Sequence, residues 1–189
     1  MVRRAKLGDV FYIKVPNGYK IFQWAYSVPR KGDYIRVFDG LHVTIPDNIE
    51  EIVLSPHSYI IAFYASRAYR AGFAHFIKNI SVPDIYPFPK YQIRFAMDSN
   101  TGKVDRIHVM NADGKRDVWQ WFDASNVTEL PEEYRGVTLL NSYLTPCWLL
   151  YLFDNGFDLM HPERFFFDSD PDIILQKYSY LIEPPPKNK

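Results

Sequence analysis

The side chains with the greatest chemical potential in this 189-residue chain are five histidines and a single cysteine. The histidines are isolated from one another, and none stands in the H-x-x-x-H or H-E-x-x-H spacing that turns two imidazoles toward one metal ion. The segment 98–103 is similar to a calcium loop, but its sixth residue is Lys103 where a glycine is needed, so we interpret it as a hairpin turn. The sequence therefore predicts no metal site. The five histidines are His42, His57, His75, His108 and His161.

Cys147 is the candidate thiol nucleophile, but Pro146 and Trp148 place it in an apolar segment, where a thiol usually behaves as a small buried hydrophobe. His108 and His161 could approach it only through the tertiary fold, and no Gly-x-Ser-x-Gly elbow accompanies them. None of the nine glycines stands in a phosphate-binding loop. We predict that the protein is not an enzyme and carries no cofactor.

The charge of the chain is balanced overall but unevenly distributed. Residues 1–40 carry eight Lys and Arg against three Asp, whereas residues 123–186 carry eleven Asp and Glu against three Lys and Arg, a net charge of −8. If these carboxylates share one face, their potential predicts a basic partner; the alternative is that they are solvated loop residues. The candidate partner-binding residues of this acidic block are Glu132, Glu133, Asp154, Asp158, Asp168, Asp170 and Asp172.

Two tryptophans, Trp119 and Trp121, stand two positions apart and therefore point the same way out of a predicted strand. Two interpretations stay open: burial in the core, which alternating aromatic residues usually join, or an exposed platform for a ligand or partner. We include both tryptophans among the candidate partner-binding residues.

A nucleic-acid-binding sheet at the amino end is an alternative, because basic side chains neutralise a phosphate backbone and aromatic rings stack on bases. Aromatic residues that alternate along a strand usually belong to the core, however, and the acidic block would repel phosphates. The sequence therefore disfavours nucleic acid as a partner. The basic residues are Arg3, Arg4, Lys6, Lys14, Lys20, Arg30, Lys31 and Arg36, and the aromatic residues among them are Tyr19, Phe22, Trp24 and Tyr34.

The elements that must position all these residues are mostly strands, because β-branched and aromatic residues alternate between turn signals along much of the chain. Thr145-Pro146 is typical of a helix start and Gly156 of a helix end, which predicts an apolar helix over 146–155 that covers one face of a sheet. Strands are predicted over 10–15, 19–26, 34–38, 58–64, 73–80, 90–97, 104–110 and 116–122, with a loop or single helical turn over 66–72.

The predicted fold class is α+β, with mostly antiparallel β-meanders, an SH3-like or barrel-like start and a few short helices. We treat 1–189 as one domain, because neither half shows a flexible Gly/Ser linker and each is small for an independent core. The three prolines in 83–89 mark the alternative division, into 1–82 and 90–186.

Secretion and membrane insertion are both disfavoured by the sequence. No apolar segment of signal-peptide type follows the basic start, and the apolar run 147–153 is far shorter than the ~20 residues that cross a bilayer. With a single cysteine, we expect a reducing, cytoplasmic environment and no membrane partner.

The amino end shows a specific order of strands. Residues 6–15 (KLGDVFYIKV) begin a strand with Gly-Asp-Val-Phe, residues 18–24 complete a hairpin with an aromatic-rich strand, and residues 35–39 begin a third strand rich in Ile and Val. Over this region the chain resembles the immunity protein 26 family. Members of that family are small cytoplasmic bacterial proteins of polymorphic toxin systems, inferred to bind and neutralise a cognate toxin domain.

The resemblance implies a non-enzymatic immunity protein whose partner is a cognate toxin. If that toxin is a nuclease, its phosphate-binding cleft is basic and would fit the acidic block. The alternative is a small β-barrel module that binds nucleic acid or a small molecule.

Overall fold

The structure is a computed structural model of the chain, and among the residues that it describes there are nine strands. They are β1 (Asp9–Val15), β2 (Gly18–Val28), β3 (Gly32–Phe38), β4 (His57–Ala62), β5 (His75–Asn79), β6 (Tyr91–Met97), β7 (Val104–Asn111), β8 (Trp119–Asp123) and β9 (Leu139–Leu140). These strands form one sheet in the order β5-β1-β2-β3-β4-β9-β6-β7-β8. The described residues are 4–29, 32–97, 104–113, 119–124, 130–131, 134, 139–140, 146–156 and 171–181.

Short helices accompany the sheet. They are α1 (Ile49–Leu54), α2 (Ala65–Arg70), α3 (Pro146–Asn155), α4 (Pro171–Tyr178) and a 3₁₀ helix (Ser179–Leu181). The α+β class with mostly antiparallel strands is confirmed, and α3 has the bounds that the sequence predicts, ending before Gly156 at a φ of 79°. Within the described part of the chain, no helix is long and apolar enough to cross a membrane.

The sheet consists of two antiparallel parts. The larger part is β5-β1-β2-β3-β4, in which β5 returns beside β1, and the smaller part is β6-β7-β8. The two-residue strand β9 lies between them and pairs parallel with β4 and with β6. A sequence of two residues carries no periodicity, so this junction depends on the tertiary fold.

The first hairpin shows why a glycine is needed at one turn. Gly18 opens β2 at a φ of 152°, and a side-chain Cβ there would overlap the backbone carbonyl oxygen of His42. This close approach allows two backbone hydrogen bonds between Tyr19 and His42, at 2.8 and 3.0 Å. The loop that follows β3 is thereby fixed to the start of β2.

The larger part of the sheet is covered on both faces. Alternation along the strands sends Phe11, Phe22 and Val37 into a core cluster that includes α3 residues such as Leu149 and Phe153. The opposite face carries Val10, Ile21 and Phe38, which pack with Ile49 and Val53 of α1. Burial on both sides makes this part the main core of the protein.

A buried arginine joins the layers of this core. Arg36 on β3 donates to the Gln23 side chain at 3.1 Å and to the Val53 and Ser55 carbonyl oxygens, at the carboxyl end of α1, at 3.3 and 3.2 Å. Its Nε donates to Nδ1 of His57 at 3.2 Å. The helix carbonyls carry partial negative charge, which compensates a cation removed from water.

The proline-rich segment that follows β5 lies against the sheet. Its Tyr86 ring packs 4.2 Å from the Arg36 guanidinium, and its Phe88 ring lies 5.3 Å from that of Tyr26. The Tyr26 hydroxyl also donates to the Tyr86 carbonyl oxygen at 2.8 Å. The segment over 83–89 is therefore a packed crossing between the two antiparallel parts.

Candidate functional site

The smaller part of the sheet has one apolar and one polar face. Ile93 on β6 and Ile107 and Val109 on β7 are buried together with Leu130 and Tyr134. The strand alternation then sends their neighbours to the opposite side. Register places Arg94 beside His108, His108 beside Trp121, and Met110 beside Trp119. We call the surface formed by Arg94, Arg106, His108, Trp119 and Trp121 the Trp face.

The two tryptophans of the Trp face are exposed. Trp119 is 54% and Trp121 47% exposed, whereas His108 between them is only 3% exposed. The Trp121 indole stacks on the His108 imidazole at 4.0 Å and 11° between planes, and Trp119 meets it edge-on at 4.2 Å. The core interpretation of the two tryptophans is therefore wrong: their rings cover a histidine and present their outer surfaces to solvent.

The imidazole of His108 is held in its neutral form. Burial, and then the nearby Arg94 cation, lower the pKa of His108 below its ordinary value. Its Nε2 is buried and has no hydrogen-bond partner among the described residues. A neutral, apolar-flanked imidazole is a suitable support for two indole rings, because it can stack without carrying charge into the cluster.

Arginine adds positive charge to the same surface. The Arg106 guanidinium lies 5.2 Å from the centre of the Trp121 ring, within the range of a cation–π contact. Its Nε also donates to Asp105 at 3.3 Å, but both side chains are exposed, so solvent screens this ion pair. The Trp face thus combines two rigid indoles with a guanidinium, a composition typical of the residues that dominate protein interfaces.

The acidic candidates are distributed differently from what the sequence suggests. The Asp154 side chain is 2% exposed: its carboxylate accepts from Asn17 at 3.2 Å, Lys177 at 3.0 Å and Tyr178 at 2.8 Å. This carboxylate is therefore engaged within the protein. Asp172 is exposed in the first turn of α4. Glu132, Glu133, Asp158, Asp168 and Asp170 lie outside the described residues.

Only part of the predicted basic and aromatic surface at the amino end is exposed among the described residues: Arg4, Lys6 and Lys14 are exposed, and other candidates are buried. Lys20 and Arg36 are buried, and so are the rings of Phe22 and Tyr34. These four residues belong to the core or its lining. The alternative of a nucleic-acid-binding sheet at the amino end loses half of its aromatic candidates.

Cys147 is buried in α3, as its apolar neighbours predict, and burial raises the pKa of its thiol. A buried thiol with a raised pKa is mostly protonated near neutral pH and is a poor nucleophile. Within the part of the chain that the structure describes, no three His, Cys, Asp or Glu side chains are grouped to hold a metal ion.

A hollow of about 400 Å³ lies along the proline-rich segment, between His57 at the start of β4 and Tyr91 at the start of β6. It is lined by His57, Tyr86, Phe88, Lys90 and Tyr91, among others. Burial and the Arg36 cation lower the pKa of His57 to about 4, so the His57 imidazole is uncharged at neutral pH. Aromatic and proline side chains supply most of the lining of the hollow, and the Trp face differs from it in presenting its rings on an open surface.

Sequence reasoning missed His108 and Arg106 as members of the site. The signal for them was the run over β7, where Ile107 and Val109 alternate with Arg106 and His108. That pattern identifies a polar face of the strand, but only the register with β8 shows that the tryptophans share it.

No protein-family model matches the chain, and comparison with curated proteins and with solved structures gave no match either.

Proposed function

We propose that the protein acts without catalysis, by binding another protein through the Trp face. The observation that carries this proposal is the exposed pair Trp119 and Trp121, fixed over the buried His108. Tryptophan and arginine are the residues most enriched among those that contribute strongly to binding between proteins. Large rings that are already held in place lose little conformational freedom on association.

The partner favoured by the amino-terminal resemblance is a bacterial toxin domain, which the protein would neutralise as an immunity protein. A partner that covers the Trp face must accommodate Arg94 and Arg106, so we expect carboxylates on the part that contacts these side chains. A basic nuclease-type domain would instead meet the acidic block, and this version of the proposal is supported by the sequence alone.

The direct experiment is to co-express the chain with the toxin domain encoded beside its gene and to measure growth and co-purification. Trp119→Ala and Trp121→Ala are each expected to weaken binding about 30-fold, the loss typical of a residue central to an interface. Tyr180→Ala is the control, because Tyr180 is an exposed aromatic residue of the 3₁₀ helix. Wild-type affinity in both tryptophan variants would exclude the Trp face as the contact surface.

Failure of the wild-type chain to bind or rescue would exclude that toxin as the partner. The proposal of a protein partner would then be tested by cross-linking in cells with a photoreactive residue at position 123, which is exposed beside the Trp face and leaves both tryptophans in place. If no protein is cross-linked specifically, the proposal of a protein partner is contradicted.

One observation favours a second candidate ligand, single-stranded nucleic acid: the Arg106 guanidinium lies over the Trp121 ring. Proteins bind such strands by stacking bases on aromatic rings and by neutralising the phosphates with basic side chains. Oligothymidylate should then quench tryptophan fluorescence, with an affinity that falls as salt rises. An unchanged fluorescence at low salt would remove this candidate.

A further inference from the structure

A second cavity, separate from the Trp face, lies at the end of the first hairpin. It has a volume of about 250 Å³ and lies between β2, the residue after β3, the start of β4 and the carboxyl end of α3. Its lining includes Lys20, Asp39, Ser58, Tyr59, Phe153 and Asp154. Most of these side chains are polar, in contrast to the apolar core next to them.

Lys20 reaches this cavity because it occupies a core position of β2. The strand alternation puts it on the same face as Phe22, and its partner on β1 is the buried Ile13. The helix α3 covers this face, and the Phe153 ring lies 6.0 Å from that of Phe22. Lys20 is consequently only 5% exposed.

The amino group of Lys20 has few partners. Nζ donates to the carbonyl oxygen of Gly40 at 3.0 Å, and this is the one hydrogen bond that Nζ makes among the described residues. An ammonium group has three N–H donors, so a buried ammonium with one acceptor is poorly compensated. The nearby Asp39 carboxylate accepts a hydrogen bond from the Ser58 hydroxyl and makes no ion pair of 4 Å or less with Lys20.

These surroundings make the ammonium form of Lys20 less favourable than that of an exposed lysine. Burial lowers the pKa of Lys20, and the attraction of Asp39 opposes this only in part. The other titratable groups of the described residues around it are His42, whose own pKa is lowered by burial and by Lys20, together with Tyr59 and Asp154. A neutral amine that faces a cavity is the form of lysine that attacks carbonyl carbon.

We propose that Lys20 is an imine-forming amine whose cavity receives a small aldehyde or α-keto acid. The Nζ lone pair adds to the carbonyl carbon, and a C=N bond then replaces the C=O bond. Both amine hydrogens leave on the carbonyl oxygen as water, so the step needs no oxidant or reductant. The site is independent of partner binding at the Trp face.

The experiment is to incubate the folded protein with glyoxylate and sodium cyanoborohydride, which reduces an imine to a stable secondary amine. Mass spectrometry of peptides then gives the rate of modification at each lysine. Lys14 is the internal control, because it lies on the same hairpin and is exposed. At pH 7, Lys20 is expected to react several-fold faster than Lys14, because burial lowers the pKa of Lys20 and leaves more of its amine unprotonated.

The pH dependence of the rates provides the second measurement. The midpoint for Lys20 should lie below the ordinary value for a lysine side chain, because burial lowers its pKa. Lys20→Arg keeps the positive charge but cannot form the imine, so labelling should disappear at this position while labelling of Lys14 is unchanged. If Lys20 reacts no faster than Lys14, or with the midpoint of an ordinary lysine, Lys20 is a structural ammonium and the proposal is wrong.

Discussion

Two arginines illustrate how differently the two parts of the sheet are built. Arg36, in the larger part, is buried against Tyr86 and donates to acceptors on β2, at the end of α1 and at the start of β4. Arg106, in the smaller part, is exposed over Trp121 and pairs with its own neighbour Asp105. The same kind of contact, a guanidinium on an aromatic ring, therefore holds layers together in one place and forms a surface in the other.

The difference follows from what covers each face. The larger part has helices or the proline-rich segment on both sides, so its polar side chains must find partners inside the protein. In the smaller part, Trp119 and Trp121 on the outer strand β8 are exposed to solvent. Large aromatic rings left open on one side of a rigid sheet are available for association, and this distinguishes the Trp face from the core.

The largest effect is expected from removing the buried guanidinium. Arg36→Met should lower the free energy of unfolding by about 3 kcal/mol, because Gln23 and two carbonyl oxygens would lose their donors inside the core. Urea unfolding measures this loss. Arg106→Met, the matched change in the smaller part, should cost about 0.5 kcal/mol or less. Equal losses in the two variants would remove the distinction between the two parts.

The next largest effect concerns Asp154, a residue that the sequence places on a surface and the structure places inside. Asp154→Ala should lower the free energy of unfolding by about 2 kcal/mol, because Asn17, Lys177 and Tyr178 would lose their shared acceptor. Asp172→Ala, in an exposed position in the first turn of α4, serves as the control and should cost about 0.5 kcal/mol, well below the loss at Asp154. A neutral Asp154→Ala would show that its network adds no stability.

A smaller effect is expected from pH at His57. Its pKa is about 4 in the folded protein, below the ordinary value near 6.5, so the unfolded chain takes up the proton first as pH falls. Stability should therefore decline between pH 6.5 and about 4, by about 1 kcal/mol because the half-buried ring is partly screened by solvent.

The His57→Asn variant isolates this contribution, because asparagine can accept from Arg36 Nε without titrating. Unfolding in urea at a series of pH values should give a shallower decline for this variant than for the wild type. If stability declines equally with pH in the variant and the wild type, the pKa of His57 is not lowered by folding.

The smallest effect on stability is expected at the Trp face. Trp119→Ala should lower the free energy of unfolding by only about 0.5 kcal/mol, because the ring is more than half exposed and covers His108 at its edge. Thermal and urea unfolding measure this value, which should contrast with a large loss of partner binding. A loss of stability above about 2 kcal/mol would mean that this face contributes to the core.

Much of the secondary structure was predictable because its signals are local. The hairpin over β1 and β2, the second meander and the helix α3 each follow from alternation, turn residues or caps within a few positions. The helices α1 and α4 were not predicted individually. Six and eight residues give few helical turns, and such short helices depend on packing more than on their own sequence.

The candidate site was predictable only in part. The spacing of Trp119 and Trp121 showed that the two rings share a side, but alternation is symmetrical and does not show which side faces solvent. His108 joined the site through the register of β7 with β8, a contact between strands that the sequence does not record.

The sequence by itself determined the α+β class, the two meanders and the bounds of the apolar helix, because these depend on neighbours along the chain. Only the tertiary structure decided that Asp154 and Lys20 are buried and that Trp119 and Trp121 are exposed. The physical reason is that burial depends on what packs over a face. That covering is supplied by distant segments such as α3, whose position no local pattern specifies.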